Sequence, residues 1–430
     1  MSTQKFSTNA LHAGHDTKLT AGTRAVPIYQ NTAYVFNNSD HAANLFNLSE
    51  PGFIYTRLNN PTNDILEQRL AALEGGLASV VTASGTAAIS TALLVLLKTG
   101  DHIVASSSLY GGTYNLLAVT LPRFGITTTF VEPGDEENFT NAIQENTKTI
   151  FVESLGNPKL DVLDLKAISE VAKKAKIPFI VDNTVATSAL VKPIEHGANI
   201  VIHSLTKYIN GNGTSMGGVI VDAGTFDWSS GKFPEFTEPS AGYHGLVYHD
   251  VLGAAAFIAK VRIEGLRDLG AALSPFNAFQ IIQGLETLEL RIKKHSENAL
   301  ELAKWLQDRN EVAWVNYPGL PTSPYYSLAK KYLPNGQSGI VTFGVKGGFE
   351  SAKKVVDETK LFSLLANIGD TKSLIIHPAS TTHQQLDDNA QQTTGVTKDL
   401  IRLCVGLEDI EDIKADLVQA FSVIDKSVLA

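Results

Sequence analysis

Cysteine is almost missing from this 430-residue chain, Cys404 being the only one. That excludes a disulfide within one chain, leaves only a bridge between subunits formally open, and favours a reducing compartment. Basic clusters are missing too: 35 Lys and Arg stand against 44 Asp and Glu, for a net charge of −9. A phosphate backbone would find no cationic stripe here, so nucleic acid is excluded as the expected partner and a small charged metabolite favoured. Long apolar runs are absent as well. The longest, around Ala92 to Leu97 and Val251 to Ala259, fall well short of the ~20 residues of a membrane span. Residues Met1 to Ser7 lack the apolar core of a signal peptide. The expectation is a soluble cytoplasmic protein with no membrane partner. No metal is expected either, because His377 and His383 are too loosely spaced to make a site.

What is present is length and alternation. A chain this long exceeds one usual core, so a large domain plus a smaller one is expected. Residues 1–60 read as irregular, a long stretch for an idle loop; such a segment either wraps over its own domain or reaches a neighbouring subunit, and an arm of the second kind is expected. From Thr62 helix and strand patterns alternate. A helix through Leu66, Leu70 and Leu73 precedes strand-like Ala78–Thr82; a helix through Ile89–Leu97 precedes His102–Ala105. Strand-like runs follow at Thr127–Val131, Thr149–Val152, Phe179–Val181, Ile200–Ile202 and Gly218–Val221. This pattern predicts a mostly parallel sheet faced by helices, in a large domain spanning 61–260. The Gly-, Pro- and aromatic-rich stretch 222–248 reads as an insertion or lid. A helical region from Val251 to Arg309, broken once at Ser274-Pro275, leads into a smaller C-terminal α/β domain (261–430). Its strands are expected near Val312–Val315, Ile340–Val345 and Ile401–Val405.

The chemistry concentrates where these strands end. Lys207 lies just past Ile200–Ile202, flanked by Ser204 and Thr206, with Gly211 and Gly213 beyond it expected to let a ligand approach the backbone. Asp182 ends the preceding apolar run, 25 positions earlier, about one strand–helix–strand step. If the two strands are parallel neighbours, an amine and a carboxylate face one pocket. Pyridoxal phosphate chemistry needs that pair: a lysine to form a Schiff base, and an acid to keep the pyridine nitrogen protonated. Ser84-Gly85-Thr86 joins a strand to a helix start, a phosphate-binding arrangement. Tyr110 and Asn157 also follow strands and could meet a cofactor ring and a cofactor oxygen. Plainer readings stand beside these: Lys207 as a surface lysine, Asp182 as a strand-end cap, Ser84 as an N-cap, Tyr110 and Asn157 as turn residues. The coincidence of five strand ends favours a site. Arg402 sits on an apolar strand, where a bidentate grip on a substrate carboxylate, or an internal Asp or Glu partner, would compensate its burial. Cys404 beside it reads as a small core residue.

Ser204-Leu205-Thr206-Lys207-Tyr208, Val181-Asp182-Asn183-Thr184 and Tyr55-Thr56-Arg57-Leu58-Asn59-Asn60-Pro61-Thr62 together resemble the cysteine and methionine metabolism family of pyridoxal phosphate enzymes, over almost the whole chain. The resemblance implies an aspartate-aminotransferase-like (fold type I) architecture. It implies Lys207 and Tyr110 as catalytic groups, with Lys207 holding pyridoxal 5'-phosphate and moving protons, Tyr110 stacking on the ring and Asp182 meeting its nitrogen. Ser84, Gly85, Thr86, Ser204 and Thr206 would anchor the phosphate, and Asn157 would complete the cofactor contacts. Tyr55 and Arg57 would reach the phosphate of the neighbouring subunit, making a homo-oligomer, commonly a tetramer. Arg402, Asn367 and Tyr55 would face an amino-acid substrate.

Within the family, the segment from Ala366 through Asn367-Ile368-Gly369-Asp370 and His377-Pro378-Ala379 to Gln385 resembles the O-acetylhomoserine sulfhydrylase branch, as does the insertion ending Phe236-Thr237-Glu238-Pro239. Gly112 stands where methionine γ-lyases carry a cysteine, and Thr86 where several relatives have methionine. The implied activity is γ-replacement on O-acetyl-L-homoserine by sulfide or a thiol, giving homocysteine or methionine plus acetate. The sulfur donor, whether free sulfide, methanethiol or a protein-borne thiol, is left open. Alternatives on the same scaffold are a cystathionine γ-synthase or γ-lyase, methionine γ-lyase included; from another class, a noncatalytic regulatory protein that keeps the cofactor.

Overall fold

The computed structural model describes residues 4–382, 384, 391 and 395–429. His383 and Gln385, at the end of the segment singled out above, lie outside the described residues. Seven strands form the first sheet: β1 (Ala78–Thr82), β2 (His102–Ser106), β3 (Thr127–Val131), β4 (Thr147–Glu153), β5 (Phe179–Asp182), β6 (Ile200–Ser204) and β7 (Gly218–Asp222). Their order is β1-β7-β6-β5-β4-β2-β3. Only β7 runs against its neighbours, pairing antiparallel with both β1 and β6.

Both faces of this sheet are covered, which explains why its strands read as continuous apolar runs. Val152, Val181 and Val201 pack on one face with Leu66, Leu70 and Ile168. Their neighbours Phe151, Ile180 and Ile202 pack on the other with Ile89, Leu93 and Phe257. The helix Pro61–Glu74 starts where the Asn60 side chain accepts the Thr62 amide and proline takes the first position, and it stops at left-handed Gly75.

A second sheet, in the order β10-β11-β12-β9-β8, contains β8 (Val312–Asn316), β9 (Ile340–Val345), β10 (Ser363–Leu364), β11 (Leu374–Ile376) and β12 (Leu400–Cys404). It has its own core, in which Phe343, Ile401 and Leu403 meet Leu302, Val355 and Leu417.

Four features depart from the sequence reading. The first 60 residues contain two short helices, Phe6–His12 and Ser39–Phe46, the second capped by the Asn38 side chain. Strands β10 and β11 were not expected; at two and three residues they carry too little pattern to register. The region 251–309 breaks more than once: left-handed Gly270 ends one helical stretch, and another gap separates helix Pro275–Leu285 from helix Leu288–Gln307. Pro275 opens a helix there instead of interrupting one, since its missing amide has no partner to lose at that position. The stretch 222–248 buries Trp228, Phe233 and Phe236 against Phe257, and none of its residues lines the cavity described next.

Candidate active site

Parallel pairing puts the carboxyl ends of β4, β5 and β6 on one edge, with Asp182 in register with Ile202. The ends of β1 and β2 join them. Against this edge lies the second sheet, through Arg402 on β12 and the loop 365–373. Between them is a cavity of about 280 Å3, close to the lower end of the roughly 300–1,000 Å3 usual for small-ligand sites. Ser84, Gly85, Thr86, Tyr110, Asn157, Asp182, Ser204, Thr206, Lys207, Asn367 and Arg402 all line it. Tyr55 and Arg57 do not. Arg57 instead lies over the ring of Tyr55, itself 41% exposed, on the outside of this chain.

Lys207 is mostly buried, and burial lowers its ammonium pKa; the nearby Arg402 guanidinium adds to the effect. A larger neutral fraction makes the amine a better nucleophile toward an aldehyde. Its Nζ donates to Asn367 Oδ1 at 2.6 Å. The turn that carries it is clamped from behind by a residue the sequence reading missed. Buried Arg291 donates to the carbonyls of Tyr208 at 2.7 Å, Ile209 at 3.1 Å and Gly284 at 2.7 Å. Gly211 is required there for a different reason than expected. Its φ is +74°, and a Cβ would come within 2.1 Å of Arg291 Nη1. A Cβ on Gly213 would meet the Asp370 carboxylate. Neither glycine lines the cavity, so both serve packing of the lysine turn and not ligand approach.

Asp182 is buried, which raises its pKa, but the Thr184 hydroxyl donates to Oδ1 at 2.6 Å and the Thr184 amide at 3.0 Å. The nearby His203 ring acts electrostatically in the same, opposing direction. Thr184 also accepts the Ser204 amide at 2.8 Å, linking the ends of β5 and β6. Ser84 caps the helix Gly85–Leu96, its Oγ accepting the Ala87 amide at 3.1 Å. The plain reading of Ser84 is thus also true, and the first amides of that helix have no acceptor within it. A Cβ on Gly85 would fall 2.6 Å from the Ser204 Cβ, so these two turns approach as closely as glycine permits.

Arg402 is buried and no ion pair holds it among the described residues. Its guanidinium donates to Asn157 Oδ1 at 3.1 Å and the Asn367 carbonyl at 3.2 Å, while Nε has no partner. An unpaired buried guanidinium facing a cavity suits a carboxylate ligand. Glu153 and Thr184, which also line the cavity, were not anticipated. Glu153 had a signal: like Asp182, it is an acid ending an apolar strand.

The donor set fits pyridoxal phosphate: an amine of lowered pKa for the aldehyde, a buried carboxylate for the ring nitrogen, and hydroxyls with helix-start amides for the phosphate. A doubly covered, mostly parallel sheet with a lysine at its carboxyl edge and a smaller second sheet defines a fold type I pyridoxal phosphate enzyme. Comparison with known proteins narrows the class. The sequence pattern of the Cys/Met metabolism PLP-dependent enzyme family matches residues 7–422, and the chain belongs to that family.

An O-acetyl-L-homoserine sulfhydrylase of Leptospira meyeri is 56% identical over 97% of this chain and 96% of its own. A homocysteine synthase of Schizosaccharomyces pombe is 52% identical over 98% and 99%. Among solved structures, an O-acetylhomoserine (thiol)-lyase of Campylobacter jejuni, carrying a pyridoxyl-lysine phosphate, superposes with a TM-score of 0.95. It is 45% identical over 97% of this chain and 100% of its own. No helix among the described residues is long and apolar enough to cross a membrane.

Proposed function

We propose that this chain catalyses γ-replacement on O-acetyl-L-homoserine, in which sulfide or a thiol displaces acetate to give homocysteine or methionine. The observation that carries the reading is one cavity holding Lys207, Asp182 and an Arg402 with no carboxylate of its own. The names borne by the relatives support the choice of substrate.

Pyridoxal 5'-phosphate, when bound, supplies a conjugated electron sink for carbanions at Cα and Cβ. Ser84, Gly85, Thr86, Ser204 and Thr206 hold its phosphate, and Tyr110 and Asn157 hold the ring and its oxygen. Asp182 keeps a proton on the pyridine nitrogen. Arg402 grips the substrate α-carboxylate with two parallel N–H bonds, exchanging its present contacts to Asn157 and Asn367 for a charged partner. Lys207 Nζ takes the proton from Cα, serves Cβ, and returns protons after sulfur has added at Cγ. The Asn367 amide oxygen steadies that amine between transfers.

The same reading makes the protein a homo-oligomer, commonly a tetramer, in which Tyr55 of one subunit reaches the substrate and, with Arg57, the cofactor phosphate of its neighbour. It divides the chain into an arm (1–60), a large domain (61–260) and a C-terminal domain (261–430). It places the enzyme in the cytoplasm, consistent with its buried, unpaired Cys404. Product analysis is the test. With O-acetylhomoserine and sulfide, homocysteine and acetate are expected in equal amounts. Cystathionine from cysteine as the preferred nucleophile would move the assignment to the γ-synthase branch, and a cofactor spectrum unmoved by any amino acid would remove catalysis altogether.

A further inference from the structure

The site contains two buried carboxylates where the proposed chemistry uses one. Glu153 ends β4 as Asp182 ends β5, and the two residues face each other in the register of the parallel pair. Both are buried and both line the cavity. Adjacent carboxylates removed from water do not both ionise, because desolvation and mutual repulsion oppose the second charge. Their surroundings decide which one keeps the proton. Asp182 has the Thr184 hydroxyl and the Thr184 amide in its favour as an anion. Glu153 Oε1 accepts the Tyr110 amide at 2.5 Å, and the Asn157 backbone favours its anion in the same direction. Against those donors stand burial first, then the like charge of Asp182, then that of Asp161, and Glu153 is pushed well above the usual carboxylate range. Thr184 offers Asp182 two hydrogen-bond donors where Glu153 has the Tyr110 amide, so these contacts favour the charge on Asp182 and the proton on Glu153.

The amide bound by Glu153 belongs to Tyr110, which follows a different strand and is assigned to the cofactor ring. Tyr110 needs such an anchor, since its side chain is 54% exposed and makes no capping hydrogen bond to the helix it opens. We infer that Glu153 is a positioning residue: its carboxyl ties the backbone of Tyr110 to the end of β4, and leaves Asp182 as the one anion facing the pyridine nitrogen. The inference rests on the cofactor roles proposed above for Asp182 and Tyr110.

The test compares Glu153→Gln with Glu153→Ala as purified holoenzymes, reading three properties. These are the dissociation constant for pyridoxal phosphate, the visible circular dichroism of the bound cofactor, and the pH midpoint of its absorbance. Glutamine keeps a neutral acceptor at the same place, so all three stay close to those of the unmodified protein. Alanine removes the acceptor; the dissociation constant rises about tenfold, the scale of one lost hydrogen bond, and the visible dichroism falls while the far-ultraviolet spectrum is retained. If alanine does not fold, Glu153→Asp, one methylene shorter and so held away from the Tyr110 amide, gives the same loss in smaller measure. A pH midpoint displaced by about one unit in the glutamine variant would mean that Glu153 is ionised, overturning the inference. So would an alanine or aspartate variant with unchanged affinity and dichroism. Failure of the underlying reading looks different: the unmodified protein would then bind no pyridoxal phosphate.

Discussion

The carboxyl edge of the seven-stranded sheet and the arm of residues 4–60 are both assigned cofactor contacts, yet they are built on opposite physics. The edge is a by-product of burial. Strands covered on both faces place Ser84, Tyr110, Asn157, Asp182 and Lys207 at one end because their apolar runs all stop at the same level. The arm has almost no interior of its own. Val35 is 97% and Leu19 81% exposed, and Tyr55 and Arg57 contact each other instead of the cavity. The sheet supplies most of the cavity from one chain, whereas the cofactor contact proposed for the exposed Tyr55 and Arg57 requires a second copy.

That contrast can be broken most sharply by mixing defects. Lys207→Ala alone should lower turnover by about 10³-fold or more, the scale of losing the proton-transfer group together with the covalent anchor. Arg57→Ala should bind pyridoxal phosphate poorly. Refolded together, the two variants should regain activity, because a hybrid pairs an intact Lys207 with an intact arm from its partner; no recovery would mean that the arm serves its own chain.

Arg402→Ala should have the next largest effect, raising KM for O-acetylhomoserine about 100-fold by loss of a charge-assisted, bidentate contact worth ~2–3 kcal/mol. It also carries a pH signature. Arg402 lowers the pKa of Lys207, so removing it raises that pKa. The rate at which cofactor-free protein captures pyridoxal phosphate should then rise with pH at a midpoint above that of the unmodified protein. A midpoint that stays put or moves down would separate the two groups.

The smallest effect expected is on stability. Gly211→Ala forces a Cβ against Arg291 at a left-handed φ and should destabilise the fold by about 1–3 kcal/mol in denaturant titration. Catalysis should weaken only as far as the lysine turn shifts.

The same contrast explains what could be read in the sequence. The inner strands of the large sheet were legible because double burial writes an apolar run for each one, and Lys207 and Asp182 were legible because they follow or end such runs. Glu153 follows the same rule but was passed over, its Ser154-Leu155-Gly156-Asn157 continuation drawing attention to the turn. Arg291 could not be read, since its three carbonyl partners include two from residues more than 80 positions away. Gly270 was a visible helix stop, overshadowed by Pro275. Tyr55 and Arg57 came from resemblance alone, since no apolar pattern marks two exposed residues.

The central claim, that the edge of this sheet holds the cofactor through Lys207, has a direct measurement. Reducing the holoenzyme with borohydride fixes pyridoxal phosphate on the lysine that carries it, and peptide mass spectrometry locates the adduct. The account predicts the adduct on the peptide containing Lys207, at one per chain. An adduct on any other lysine, with Lys207 unmodified, would contradict it.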